Sequence, residues 1–197
     1  MRTLVLLGWL ALPVGGIAYH YGPGQERLRL DDAATLLSEA QGLVDQHDWV
    51  GAQERLDEAL KLVPTTQIAE IRRIRLERAK AQMLAKQLPD ARRELLALVD
   101  ELNDDPKADP ALRAQAREAL ANAQFYLTWL MRLEGQPRET WEPEIEAARQ
   151  NYRLLAESAE RGRDAGAAQR SKEDLEAAIR LARLDIKDLQ GLPLPSQ

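Results

Sequence analysis

Residues 49–64, WVGAQERLDEALKLVP, and residues 88–103, LPDARRELLALVDELN, decide the fold when laid over one another. A shift of 39 carries Ala52, Leu56, Ala59, Leu60 and Val63 onto Ala91, Leu95, Leu98, Val99 and Leu102, so each apolar position meets another. Within each stretch these residues recur every three or four positions, the period of an amphipathic helix. Self-similarity at a spacing of this size marks stacked helical units rather than one closed bundle. Pro64, which cannot donate to a helical ladder, stops the first stretch.

Each of these helices has a partner upstream. Leu36, Leu37, Ala40, Leu43 and Val44 line one face of a helix that His47-Asp48 interrupts. The same shift takes Leu37, Ala40 and Val44 to Leu76, Ala79 and Met83, but Leu36 and Leu43 to Arg75 and Gln82, so the second hairpin is degenerate. Short side chains permit close approach of two helices joined by a short loop. Ala40, Ala52 and Ala59, with Trp49, Leu56 and Pro64, give residues 33–66 a pattern that resembles a tetratricopeptide repeat. Residues 72–105 resemble it loosely. Leu36 stands where the family has tryptophan, and the offset of 39 exceeds the family repeat.

Further helices follow. Asp109-Pro110 is a cap followed by a first-turn proline, and the helix it opens runs to about Leu133. Residues 119–131 hold no charge and contain Phe125, Tyr126, Trp129 and Met131; at 13 residues they are too short to span a bilayer and read as a helix buried on most sides. Gly135-Gln136-Pro137 ends it. Thr140 and Pro143 open the next helix, which Gly162 to Gly166 breaks, and Ser171 with Asp174 forms a capping-box-like start for the last. Its stripe of Leu175, Ile179, Ala182, Ile186 and Leu189, wet on the other face, suits the end of a stacked array.

The amino-terminal stretch is different. No charge lies between Arg2 and Glu26, and Thr3 to Tyr21 reads TLVLLGWLALPVGGIAYHY, about the length of one bilayer crossing. Arg2 ahead of this run places the amino terminus in the cytoplasm by the positive-inside rule. The expectation is a single-pass inner-membrane protein with a periplasmic body; the alternative is a signal peptide cleaved near Gly16-Ile17-Ala18 and a secreted body. Gly22-Pro23-Gly24 reads as a linker and Asp31-Asp32 as a cap. The expected fold is therefore all-α: a signal anchor or transmembrane helix and linker over 1–24, antiparallel helical hairpins stacked as a short tetratricopeptide-like solenoid over 25–190, and a tail over 191–197.

The segments ANAQFYL (121–127), EIEAARQNYRLL (144–155) and EDLEAAIRLARL (173–184) resemble helices of membrane-anchored accessory proteins of the MxaK type, encoded beside a MoxR-type ATPase and von Willebrand A-type membrane proteins. That resemblance implies an assembly or maturation role, with a von Willebrand A-type membrane protein as partner.

Chemistry is sparse. The chain has no cysteine and two histidines, His20 and His47, which excludes thiol nucleophiles, disulfides and cysteine or histidine zinc clusters. No phosphate-binding glycine loop or nucleophile beside a base is present, and no cofactor is expected. Glu142, Glu144 and Glu146 cluster near a helix start, where the dipole favours negative charge. A net charge of −5 leaves no electrostatic footprint for nucleic acid. Residues 31–66 carry −6 and residues 67–99 carry +4, which reads as attraction between hairpins, as a basic strip of Arg72, Arg73, Arg75, Arg78 and Lys80 for an acidic partner, or as solvated faces.

In tetratricopeptide arrays the first helices of the hairpins line a groove. Carried over residue by residue, this selects Leu37, Gln41, Val44 and Asp45, then Leu76, Lys80, Met83 and Leu84, as partner-binding residues, with Arg73 added from the basic strip. Phe125, Tyr126, Trp129 and Trp141 read as core first and binding residues second. The function expected is a non-enzymatic, membrane-anchored extracytoplasmic adaptor that binds a protein partner. A hydrolase or transferase of envelope polymers using unrecognised carboxylates, or a structural spacer, is the alternative.

The shared offset makes Ala52 a close-contact position, so Ala52→Trp is expected to lower stability by about 1–3 kcal/mol through overcrowding. An unchanged thermal midpoint counts against the repeat assignment.

Overall fold

The computed structural model describes residues 23–185 and 188, and the side chains of that range from Arg27 onward. These residues form seven α-helices: α1 (Pro23–Asp45), α2 (Trp49–Leu62), α3 (Ile68–Leu84), α4 (Leu88–Asp104), α5 (Pro110–Leu133), α6 (Arg138–Arg161) and α7 (Ala165–Arg183). The described residues divide into two compact units, with the boundary between Ile74 and Arg75.

In the first unit α1 and α2 pack together as a hairpin. Ala33, Ala40, Ala52, Leu56, Ala59 and Val63 are all buried, so the small residues do sit where helices meet. Pro23 occupies the first position of α1, where its missing N–H costs nothing. As a result the expected linker at Gly22-Pro23-Gly24 is helical from Pro23 onward, and Asp31 and Asp32 lie within α1 instead of capping it.

The second unit is built by sequential packing of one helix on the next, the arrangement of a helical repeat. One cluster joins Leu76 and Ala79 of α3, Leu95, Leu98 and Leu102 of α4, and Ala116, Leu120 and Ala123 of α5. The other joins Ala121 and Phe125 of α5, Ile145, Ala148 and Tyr152 of α6, and Ala177, Ala178 and Leu181 of α7. Helix α5 is the shared wall, and every residue from Ala119 to Phe125 is buried. This explains its charge-free stretch, since a helix apolar all round is one covered on both sides. Ala91, Leu95, Leu98, Val99 and Leu102, the images of the first repeat under the shift of 39, are buried as well.

Ion pairs reinforce this stack. Arg75 places its guanidinium 2.6 Å from both Glu94 and Glu101, and Arg78 lies 3.4 Å from Glu94. Arg75 and Arg78 of the basic strip thus face α4, and Arg72 is buried. Arg92 of α4 holds Glu144 of α6 through two hydrogen bonds of 2.6 and 3.1 Å. The Glu142 to Glu146 cluster is paired throughout, with Arg138, Arg92 and Arg149 in turn. Arg132 of α5 donates to the carbonyls of Leu181 and Leu184 at the end of α7 and lies over the Trp141 ring, 4.8 Å from its centroid.

Four helix ends close in the same way. A residue in the left-handed region, His47, Lys86, Gly135 or Arg163, is followed by one whose N–H reaches back five residues: Asp48 to Leu43, Gln87 to Gln82, Gln136 to Met131 and Asp164 to Ala159, at 2.9–3.0 Å. This is the Schellman closure, which satisfies otherwise unpaired carbonyls. His47 and Lys86 are themselves 39 apart. In three of these turns the closing residue also precedes the next helix as its cap, and two do so with a side-chain bond: Asp48 accepts from the Gly51 N–H and Asp164 from the Ala167 N–H, both at 2.9 Å. Asp164 therefore starts α7 at Ala165, and the expected start at Ser171 and Asp174 lies inside the helix. Helix α6 likewise begins at Arg138, ahead of Thr140, with Pro143 enclosed near its start.

The expected transmembrane helix ahead of the array is corrected. Among the described residues no helix is long and apolar enough to cross a membrane. Even α5 is uncharged only from 119 to 131 and is bounded by Glu118 and Arg132, short of the roughly 20 apolar residues that a span needs. The single-pass inner-membrane topology, the periplasmic location and the membrane-anchored adaptor built on it are withdrawn with it. The stretch 3–21 on which they rested, and the 191–197 tail, lie outside the described residues.

The left-handed turn residues give a paired stability prediction. Arg163→Gly is expected to stabilise by about 1 kcal/mol, and Gly135→Ala, at φ 71°, to destabilise by about the same amount. Opposite shifts of the urea midpoint at constant slope check this.

Candidate functional site

Within the second unit, α3 and α5 leave an elongated groove of about 590 Å3. One wall is Lys80, Met83 and Leu84 of α3, continued by Lys86 in the turn and Leu88 of α4; the other is Gln115, Glu118, Ala119, Asn122, Tyr126, Trp129 and Leu130 of α5. Glu118, Asn122, Tyr126 and Leu130 stand four residues apart on one stripe of α5, as the helical period requires. At ~1.5 Å per residue the twelve steps from Glu118 to Leu130 cover ~18 Å.

The groove is graded along this length. Gln115, Glu118, Asn122 and Lys80 give it a polar end; Met83, Leu84, Leu88, Tyr126, Trp129 and Leu130 make the other end apolar. Leu84 and Leu130 are each 40% exposed and Leu133, one turn beyond, 41%. The indole N–H of Trp129 is buried without a hydrogen-bond partner.

Polar groups behind the polar end are arranged by α5, α6 and α7. The Tyr152 hydroxyl, fully buried, donates to Asn122 Oδ1 at 2.6 Å. Burial, then the neighbouring charge of Asp174, pushes the Tyr152 phenol far above its ordinary range and keeps it a donor. Asn151 Nδ2 donates to Gln124 Oε1 at 3.0 Å, fixing α6 to α5 one turn away. Burial and the like charge of Asp174 raise the Glu118 carboxyl above the usual carboxylate range, while Arg170 and Lys80 pull the other way. The Lys80 ammonium is 2.8 Å from Glu77 of its own helix.

Of the residues singled out in the sequence, Lys80, Met83 and Leu84 come together on the groove wall. Leu76 does not: at 1% exposure it belongs to the core, because its face of α3 packs on α4 and α5. Leu37, Gln41, Val44 and Asp45 lie on α1 in the first unit, Gln41 and Asp45 exposed and the other two half-buried. Arg73 is exposed on the first-unit portion of α3. Phe125 and Trp141 are buried, whereas Tyr126 and Trp129 line the groove. His47 is exposed and stacks on Trp49 with ring centroids 5.2 Å apart. The α5 residues Gln115, Glu118, Ala119, Asn122 and Leu130 were missed. Their signal was present as polar side chains at four-residue spacing leading into an uncharged helix.

Tyr152→Phe removes the hydrogen bond from the phenol to Asn122 Oδ1 in a buried setting, at an expected cost of about 0.5–1.5 kcal/mol. Chemical denaturation of both proteins checks this, and an equal midpoint contradicts it.

No family model, curated protein or solved structure matches the chain. The expected von Willebrand A-type partner, which rested on resemblance alone, is accordingly withdrawn along with its attachment through a membrane helix.

Proposed function

We propose that this chain is a non-catalytic binding protein built on tetratricopeptide-like hairpins, and that its α3–α5 groove holds an elongated amphiphilic small molecule. The observation that carries this reading is the gradient along the groove, with Glu118, Gln115 and Asn122 at one end and Leu84, Leu88, Trp129 and Leu130 at the other. A volume of about 590 Å3 is that of a small-ligand pocket, apolar in lining with a few placed polar groups. The length of ~18 Å along α5 suits a chain-like tail with a polar head. The hairpin assignment is supported by buried Ala40, Ala52 and Ala59, with Trp49 opening α2 and Pro64 following it.

A binding role also agrees with how the polar groups are used. The Tyr152 hydroxyl is committed to Asn122 and the Lys80 ammonium to Glu77. A general acid or base acts from within hydrogen-bond reach of the reacting proton, and these two groups are held for structure.

Titration with the neutral apolar fluorophore N-phenyl-1-naphthylamine is expected to give saturable enhancement. Leu130→Asp places a charge on a partly exposed wall residue and is expected to weaken binding about tenfold or more, since an apolar contact of this size contributes roughly 1.5–3 kcal/mol. Its thermal midpoint should stay close to that of the parent. Absence of saturable binding, or undiminished binding by Leu130→Asp, overturns the reading.

A further inference from the structure

Resting on that amphiphile reading, we infer that the head group taken by the groove is a cation, an ammonium or guanidinium seated against the Glu118 carboxylate. Glu118 lines the polar end, and its carboxylate makes no hydrogen bond or ion pair among the described residues. Three charged groups surround it. Asp174 of α7 is 6% exposed and adds negative charge from behind; Arg170 of the same helix and Lys80 of α3 add positive charge. Lys80 is already 2.8 Å from Glu77. Glu118 is itself exposed on the groove wall, and Asp174 adds to the negative charge that a ligand meets there. A cation delivered by a ligand supplies the missing charge and a charge-assisted hydrogen bond.

The far end fixes the orientation. Lys86 sits in the turn beside Leu84 and Leu88, exposed and without an ion pair among the described residues. Its ammonium repels a positive head from that end and leaves Met83, Leu84, Tyr126, Trp129 and Leu130 to cover the tail. An anionic amphiphile would have to reverse, with its head at the exposed Lys86 and its tail against the Glu118 end.

Isothermal titration of the full chain with dodecylamine, dodecanol and dodecanoate, each below its micelle concentration, separates these cases. Dodecylamine is expected to bind at least about tenfold more tightly than dodecanol, the fold-change of one charge-assisted hydrogen bond, and dodecanoate most weakly. Glu118→Gln, which keeps size and removes charge, is expected to weaken dodecylamine about tenfold or more and to change dodecanol far less. Circular dichroism confirms the variant's fold, and Glu118→Ala serves as the second variant. Tightest binding of dodecanoate, or dodecylamine affinity indifferent to both variants, refutes the cationic head while leaving the amphiphile reading standing. If none of the three probes binds, the amphiphile reading falls and this inference falls with it.

Discussion

Helix α5 has to be covered on both sides, and the second unit follows from that constraint. Ala116, Leu120 and Ala123 pack toward α3 and α4, while Ala121 and Phe125 pack toward α6 and α7. No charged side chain is tolerated in the middle of such a helix without a partner, because an unpaired buried charge costs several kcal/mol. Three polar side chains that do occur there are hydrogen-bonded: Thr128 Oγ1 bonds the Gln124 carbonyl at 2.8 Å, Asn122 accepts from Tyr152, and Gln124 accepts from Asn151. Small residues let the flanking helices come close, and the groove follows the stripe of larger side chains, Glu118, Asn122, Tyr126 and Leu130, along α5.

The ion pairs act on register more than on total stability. Arg75, Arg78 and Arg92 are partly exposed, and pairs of this kind contribute about 0–1 kcal/mol each. Their geometry is still informative: Arg92 to Glu144 ties α4 to α6 across the helix between them in sequence. Arg132 works differently. Its guanidinium covers the carbonyls that end α7, where a cation is favoured by the helix dipole, and is itself covered by Trp141.

Several features of the fold were legible residue by residue. The shift of 39 located Ala52, Leu56 and Ala59 and their images Ala91, Leu95 and Leu98, because burial on one helical face leaves a periodic trace that needs no tertiary knowledge. Asp109-Pro110 was readable for the same local reason, and Asp109 does accept from the Ala111 N–H at 2.9 Å. The turns were harder. Glycine marked only Gly135, while His47, Lys86 and Arg163 adopt the left-handed conformation without it, held by the backbone bonds of the closure. Gly162, where the break was read, is right-handed. The start of α7 was misplaced because Ser171 and Asp174 imitate a cap, and Asp164, seven residues before Ser171, is the one that forms its bond.

The site divides along the same line. Sequence by itself determined that the chain is helical, that its early hairpins repeat, and that Lys80, Met83 and Leu84 share an end of one helix, because all of these depend on neighbours within a turn or two. Tertiary structure alone decided that Leu76, on that same helix, is core, and that Glu118, Asn122 and Tyr126 face those residues across a groove. Which side of an amphipathic helix is sealed and which is left open depends on the helix laid against it. In α5 both flanks are apolar, so only the packed neighbours on either side determine where the uncovered strip falls.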